Sequence, residues 1–307
     1  MSKIVRIIFV LQLCFAKSLL AIEGEIPYFK SKGILETKQV KESSRFIQFD
    51  IVIDETDPRT KVSLKVQAHY FKCKKLGKLP LLIIVPPING VSSREKSVMN
   101  HFTEQHYNVL IIEPIKNISD NSIPIAEFEN NLLSFVGAVR SAIDVMIEKP
   151  EIDSKNVFIW ASSMGAIYSS IVIGEDKRIN AGILIVGGGS IADIVTDSKQ
   201  KYIVKYKKER MLKENIKTEE EFRQKMKEHV KVDPLVYAKL RNSSEIYFVM
   251  ALKDKSVPTK YQQALYEAFG SPVNITKYKK GHVGTLMKSH LSELDKYFNF
   301  TESKLRA

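Results

Sequence analysis

The sequence predicts an α/β fold with a mostly parallel central sheet and helices on both faces. Two observations lead there. "LPLLIIVPP" (79–87) is an unbroken apolar run, the pattern of a strand covered on both sides. From that run onward, strand-like and helix-like segments alternate to the end of the chain. Such alternation implies crossover connections, which lay strands parallel and place helices against both faces of a sheet.

Ahead of the first buried strand, "RFIQFDIVI" (45–53) and "KVSLKVQAHYF" (61–71) are β-rich and flank the turn-forming "DETDPRT". They predict an antiparallel pair opening the domain. After 79–87 the spacing predicts a helix over 94–106, a strand over 107–114 and a helix over 126–147. Further strands are expected at 156–160, 181–188, 245–252 and 273–279. The helices between and after them are 164–174, 258–269 and a final one over 284–298. Residues 189–244 break the rhythm. They contain no strong buried strand and predict two or more Lys- and Glu-rich helices, an insertion of the kind that caps a site. "GGG" (187–189) lacks the spacing of a phosphate-binding loop and reads as a flexible hinge into that insertion.

Lys3 and Arg6 precede the apolar run "IIFVLQLCFA", and "SLLA" offers small residues for cleavage. Residues 1–21 are therefore expected to be a signal peptide, with residues 22–307 forming one domain in the periplasm or outside the cell. The run is short for a membrane span, so no stable span is expected once it is removed. The leader would take Cys14 with it and leave Cys73 alone, so no internal disulfide is expected. No CxxC or Cys/His cluster suggests zinc, and neither a metal nor an organic cofactor is expected. The net charge of +12 is dispersed. Its densest patch, 199–213, also carries helical spacing and Glu209, which predicts a solvated helix face and no nucleic-acid partner.

The chemistry concentrates at "VFIWASSMGAIYSS" (157–170). A predicted buried strand stops at two serines and a helix follows, the context of a nucleophile elbow. The residues two before and two after an elbow serine approach each other and must be small. Ala161 and Gly165 meet that demand around Ser163, whereas Trp160 and Met164 fail it around Ser162. Ser163 is thus the candidate nucleophile, with alanine standing where glycine is commoner.

A serine hydroxyl needs a base, and the base needs an orienting acid. Of six histidines, His282 alone lies in a glycine-flanked loop after the last predicted strand, "KKGHVGTL". His290 is expected on the surface of the helix that follows. His101 and His106 flank the first helix, His69 belongs to an early strand and His229 to the charged insertion. Asp254 follows the strand "IYFVMAL" and is the candidate acid, with Asp193 as the second choice. The order Ser163, Asp254, His282 suits a strand-ordered site. Backbone N–H donors for a developing oxyanion are expected from Met164 and from the loop after 79–87. Pro86 and Pro87 carry no N–H, leaving Ile88 or Asn89, with Ile88 preferred.

These segments resemble the α/β-hydrolase superfamily. "AIDVMIEKPEIDSKNVFIWASSMGA" (142–166), "ALKDKSVPT" (251–259) and "GHVG" (281–284) are similar to the elbow, acid and histidine loops of its dienelactone-hydrolase and prolyl-oligopeptidase-like branches. The likeness spans about residues 45–300 and departs at "PPING", which has no His-Gly counterpart. It implies a serine hydrolase with Ser163 as nucleophile, Asp254 as orienting acid and His282 as base. The implied substrate is a small ester or acyl compound. A peptidase or amidase of the same fold, or an inactive binding protein of the cell envelope, are the alternatives.

Overall fold

Nine strands hydrogen-bond into one sheet in the computed structural model, which describes residue 26 and residues 31–57, 63–114 and 120–306. They are β1 (Ser31–Glu42), β2 (Phe46–Thr56), β3 (Ser63–Cys73), β4 (Leu79–Val85), β5 (Asn108–Ile112), β6 (Ile152–Ser162), β7 (Ile179–Ile185), β8 (Ile246–Ala251) and β9 (Asn274–Tyr278). Their spatial order is β1-β2-β3-β5-β4-β6-β7-β8-β9. β1, β2, β3 and β5 pair antiparallel in turn. From β5 through β4 to β9 every pairing is parallel. The carboxyl ends of β4 to β9 therefore share one edge of the sheet, the edge at which sheets of this kind hold their sites.

The apolar runs explain the burial. Every residue of β5, β7 and β8 is buried. Leu81, Ile83 and Val85 of β4 enter one core, whereas Leu82 and Ile84 enter the other, as period-two alternation requires. The first core is covered by α2 (Phe128–Ile147), α3 (Met164–Glu175) and α8 (Thr259–Ala268). The second is covered by α1 (Ser93–Glu104), α9 (His282–Ser292) and α10 (Leu294–Glu302). Between β7 and β8 the chain forms α4 (Ile191–Asp197), α5 (Lys201–Lys213), α6 (Glu219–His229) and α7 (Pro234–Ala238). Among the described residues no helix is long and apolar enough to cross a membrane. The leader expected over 1–21 lies outside them.

Four details differ from the sequence expectations. The opening pair is joined by an outer strand, β1, whose charged residues face solvent because only β2 lies beside it. The final helix is two helices broken at Glu293. Gly187, Gly188 and Gly189 are packed and are not a hinge: a β-carbon on Gly187 would stand 2.9 Å from that of Ala166, and one on Gly188 2.7 Å from Val257 Cγ1. In the charged 199–213 stretch, Lys207 and Arg210 are buried, with the Lys207 ammonium donating to the Thr196 carbonyl at 2.7 Å and Glu219 at 2.6 Å.

Candidate active site

Ser163 stands at the corner between β6 and α3 with φ 55° and ψ −122°. A non-glycine residue rarely adopts positive φ, and here the helix that follows and a hydrogen bond from Ser163 N–H to the Ile185 carbonyl at 2.8 Å hold it there. The turn is as tight as the small-residue rule demands. A β-carbon on Gly165 would lie 2.5 Å from the Pro86 carbonyl oxygen and closer still to that of Val85. Only glycine lets α3 start so near the end of β4. Val186, one strand over, also has positive φ (48°), an outlier for a β-branched side chain.

Ser163, Asp254 and His282 converge although they are far apart in sequence. Ser163 Oγ lies 2.8 Å from His282 Nε2, and His282 Nδ1 lies 2.7 Å from Asp254 Oδ2. The Asp254 side chain is fully buried, and its other oxygen accepts from the Ser256 and Val257 backbone N–H groups at 2.7 and 3.1 Å. The capping geometry of a turn aspartate and the contact with His282 coexist in one carboxylate. Sequence reasoning missed Gln262 on α8, whose Nε2 donates to Asp254 Oδ2 at 2.9 Å and to the Val257 carbonyl at 2.8 Å. Its Oε1 accepts from Ala251 N–H at 3.0 Å, tying the acid loop to the end of β8. A glutamine on a helix gives no sequence signal for such a role.

The other candidates are placed elsewhere. Asp193 sits on α4 and pairs with Arg223 at 2.6 Å and Lys227 at 3.2 Å. Nearby Asp197 binds Arg223, Lys260 and the Tyr261 hydroxyl. Burial raises the Asp197 carboxyl, but those partners outweigh it and hold the group well below the usual carboxylate range. His290 is buried, contrary to the surface position expected, with Nδ1 3.3 Å from the Leu286 carbonyl. His69 lies between Glu113 (3.0 Å) and Asp50 (2.7 Å), and those carboxylates, Glu113 foremost, raise its pKa.

Ile88, Ser163, Met164 and His282 line one cleft. Ile167, Ile191, Ile194 and Val257 make its walls largely apolar. The Met164 N–H opens α3, where a first-turn amide has no intrahelical partner. The Pro86–Gly90 segment turns back on itself, with Gly90 N–H donating to the Pro87 carbonyl at 2.9 Å. The insertion is stitched to the acid loop: Lys199 N–H donates to the Lys255 carbonyl at 2.7 Å and the Ser198 hydroxyl to that of Ser256 at 2.6 Å. Asp233 joins the far end by accepting from Ser190, Ile191 and Leu235 N–H groups. Among the described residues no group of three or more His, Cys, Asp or Glu could hold a metal ion.

The sheet order, with three side chains meeting at its carboxyl edge, is that of the α/β-hydrolase fold. No protein-family model matches the chain, and no curated protein matches it. Among solved structures it is similar to an acetyl xylan esterase from Paenibacillus sp. R4, with a TM-score of 0.68 and 15% identity over 89% of this chain and 90% of that one. Acetyl xylan esterase 1 from Thermoanaerobacterium sp. JW/SL YS485 gives 0.62 and 18% identity over 84% of this chain and 87% of that one. A puromycin-hydrolyzing peptidase of Mycobacterium tuberculosis gives 0.57 and 13% identity over 84% of this chain, which spans 46% of that protein.

Proposed function

We propose that the protein is an exported serine hydrolase that cleaves a small carboxylic ester through an acyl-enzyme. The observation that carries this reading is the 2.8 Å approach of Ser163 Oγ to His282 Nε2, with Asp254 behind the imidazole. His282 takes the hydroxyl proton as Ser163 Oγ bonds to the acyl carbon. The carbonyl oxygen becomes an oxyanion between the N–H groups of Met164 and Ile88. The oxyanion collapses, the bond from the acyl carbon to the alcohol oxygen breaks, and His282 returns its proton to the departing alcohol. Water then gives a proton to His282, attacks the acyl carbon and releases the acid, and Ser163 recovers its proton. Asp254 holds the imidazole in the tautomer this needs and faces the imidazolium that forms. An ester is preferred over an amide because the names of several similar structures carry esterase activity, and the cleft beside Ser163 is mainly apolar.

The test is a fluorophosphonate probe alongside p-nitrophenyl acetate and an aminoacyl amide. Labelling and ester turnover should both vanish in Ser163→Ala, and the amide should be cut far more slowly. A folded wild type that takes no label would make the protein a binder. Export rests on residues 1–21. Expression of the full chain should yield a product whose amino terminus begins at or near Ile22, and an intact Met1 terminus on cell-retained protein would refute it.

A further inference from the structure

We propose that the cleft over Ser163 receives the acyl part of the substrate, and that Phe128, with Tyr168, limits how long that acyl chain can be. The inference rests on the hydrolase reading above. In the acyl-enzyme the acyl group stays bonded to Ser163 Oγ while the alcohol departs. A cleft walled by Ile167, Ile191, Ile194 and Val257 favours the part that stays, because apolar walls reward a chain that leaves water.

A second, smaller cavity lies beside this cleft. The two share Phe128 and Tyr168 in their walls. Tyr168 is fixed: it is buried within α3 and its ring packs 5.2 Å from that of Phe135. Phe128 is only partly buried and is the first residue of α2, reached through a 3-10 turn over Ile125–Glu127. It is the removable half of the partition. Its ring lies 5.6 Å from that of Tyr206, which lines the second cavity only. The buried Tyr206 hydroxyl has no hydrogen-bond partner among the described residues.

A long acyl chain therefore meets two obstacles in sequence. The Phe128 ring stops it. Once the ring is gone, water that fills the opened space can pair with the Tyr206 hydroxyl, and a methylene chain that displaced this water would leave the hydroxyl unpaired, at a cost of roughly ten- to hundredfold in kcat/KM. Removing the ring alone opens space whose far end remains hostile to an apolar chain. Removing ring and hydroxyl together makes that end apolar. The two substitutions must then be non-additive, because Tyr206 is reached only once Phe128 is gone.

The experiment measures kcat/KM on p-nitrophenyl esters from acetate to dodecanoate, and on acetates of lengthening alcohols, for wild type, Phe128→Leu, Phe128→Ala, Tyr206→Phe and Phe128→Ala/Tyr206→Phe. Thermal unfolding and fluorophosphonate labelling of each variant accompany it. The wild type should prefer short acyl chains. Phe128→Ala should move the preference to longer acyl chains, with Phe128→Leu between them. Each added methylene that finds room should gain on the order of threefold. Tyr206→Phe should raise long-chain activity only where Phe128 is already replaced. An unchanged acyl profile in labelled, folded variants overturns the inference alone, as does a length response on the alcohol side. Folded wild type with neither label nor turnover overturns the hydrolase reading, and this inference with it.

Discussion

Gln262 Nε2 donates to Asp254 Oδ2, the same oxygen that His282 Nδ1 contacts. With the Ser256 and Val257 amides on Oδ1, the buried carboxylate has four hydrogen bonds and a fixed plane. Gln262 is thus a positioning residue. Gln262→Leu should lower kcat roughly ten- to hundredfold, the worth of a hydrogen bond to a charged group. KM should hold. Steady-state kinetics that show a raised KM at unchanged kcat would contradict this role.

The two acid candidates separate cleanly by substitution. Asp254→Asn keeps the shape but loses the carboxylate facing His282, and kcat should fall about 10⁴-fold. Asp193→Asn disturbs the pairs with Arg223 and Lys227 and the hydrogen bond from the Ser190 hydroxyl, with an expected loss of about 1 kcal/mol in stability and little change in labelling rate. Equal damage from the two in a labelling time course would remove Asp254 from its assigned place.

Gly165→Ala should destabilise the fold by about 3 kcal/mol, because a β-carbon there meets the backbone of β4, which cannot yield as a side chain would. Ala161→Gly restores the commoner residue at the other small position. It should cost no more than about 1 kcal/mol and preserve labelling. Urea denaturation of both variants checks the contrast.

Stability should also depend on one acid outside the site. Glu55 is buried on β2, and desolvation pushes its carboxyl up to about 7 against the opposing pull of Ser141, with Asp57 and Asp54 adding to the rise. The unfolded chain ionises this group near 4.5, while the folded chain keeps its proton to about 7. The contribution is therefore full below 4.5 and is lost as pH rises through that interval, on the order of 3 kcal/mol in all. Chemical denaturation across that range should show the decline, and Glu55→Gln should flatten it.

Much of this molecule can be read from its chain, for identifiable reasons. β4 to β8 announce themselves because strands covered on both faces have no room for polar residues. The candidate Ser163 is legible because the corner admits only small neighbours, and the candidates Asp254 and His282 because each lies a few residues past the end of a strand. What escapes is set by contacts across space. β1 is charged and pairs on one side only, so no apolar pattern marks it. Gln262 and Phe128 look like ordinary helix residues until α8 and α2 are laid beside the site. His290 is buried by packing of a helix whose end the spacing did not locate.

The bonds from Lys199 and Ser198 to the carbonyls of Lys255 and Ser256 reach the very turn that cradles Asp254. The helical insertion and the turn that holds the Asp254 carboxylate are consequently tied together. A foreign segment spliced in at residues 190–240 would keep the main-chain bond to Lys255 but would need its own serine at 198 to hold the Ser256 carbonyl.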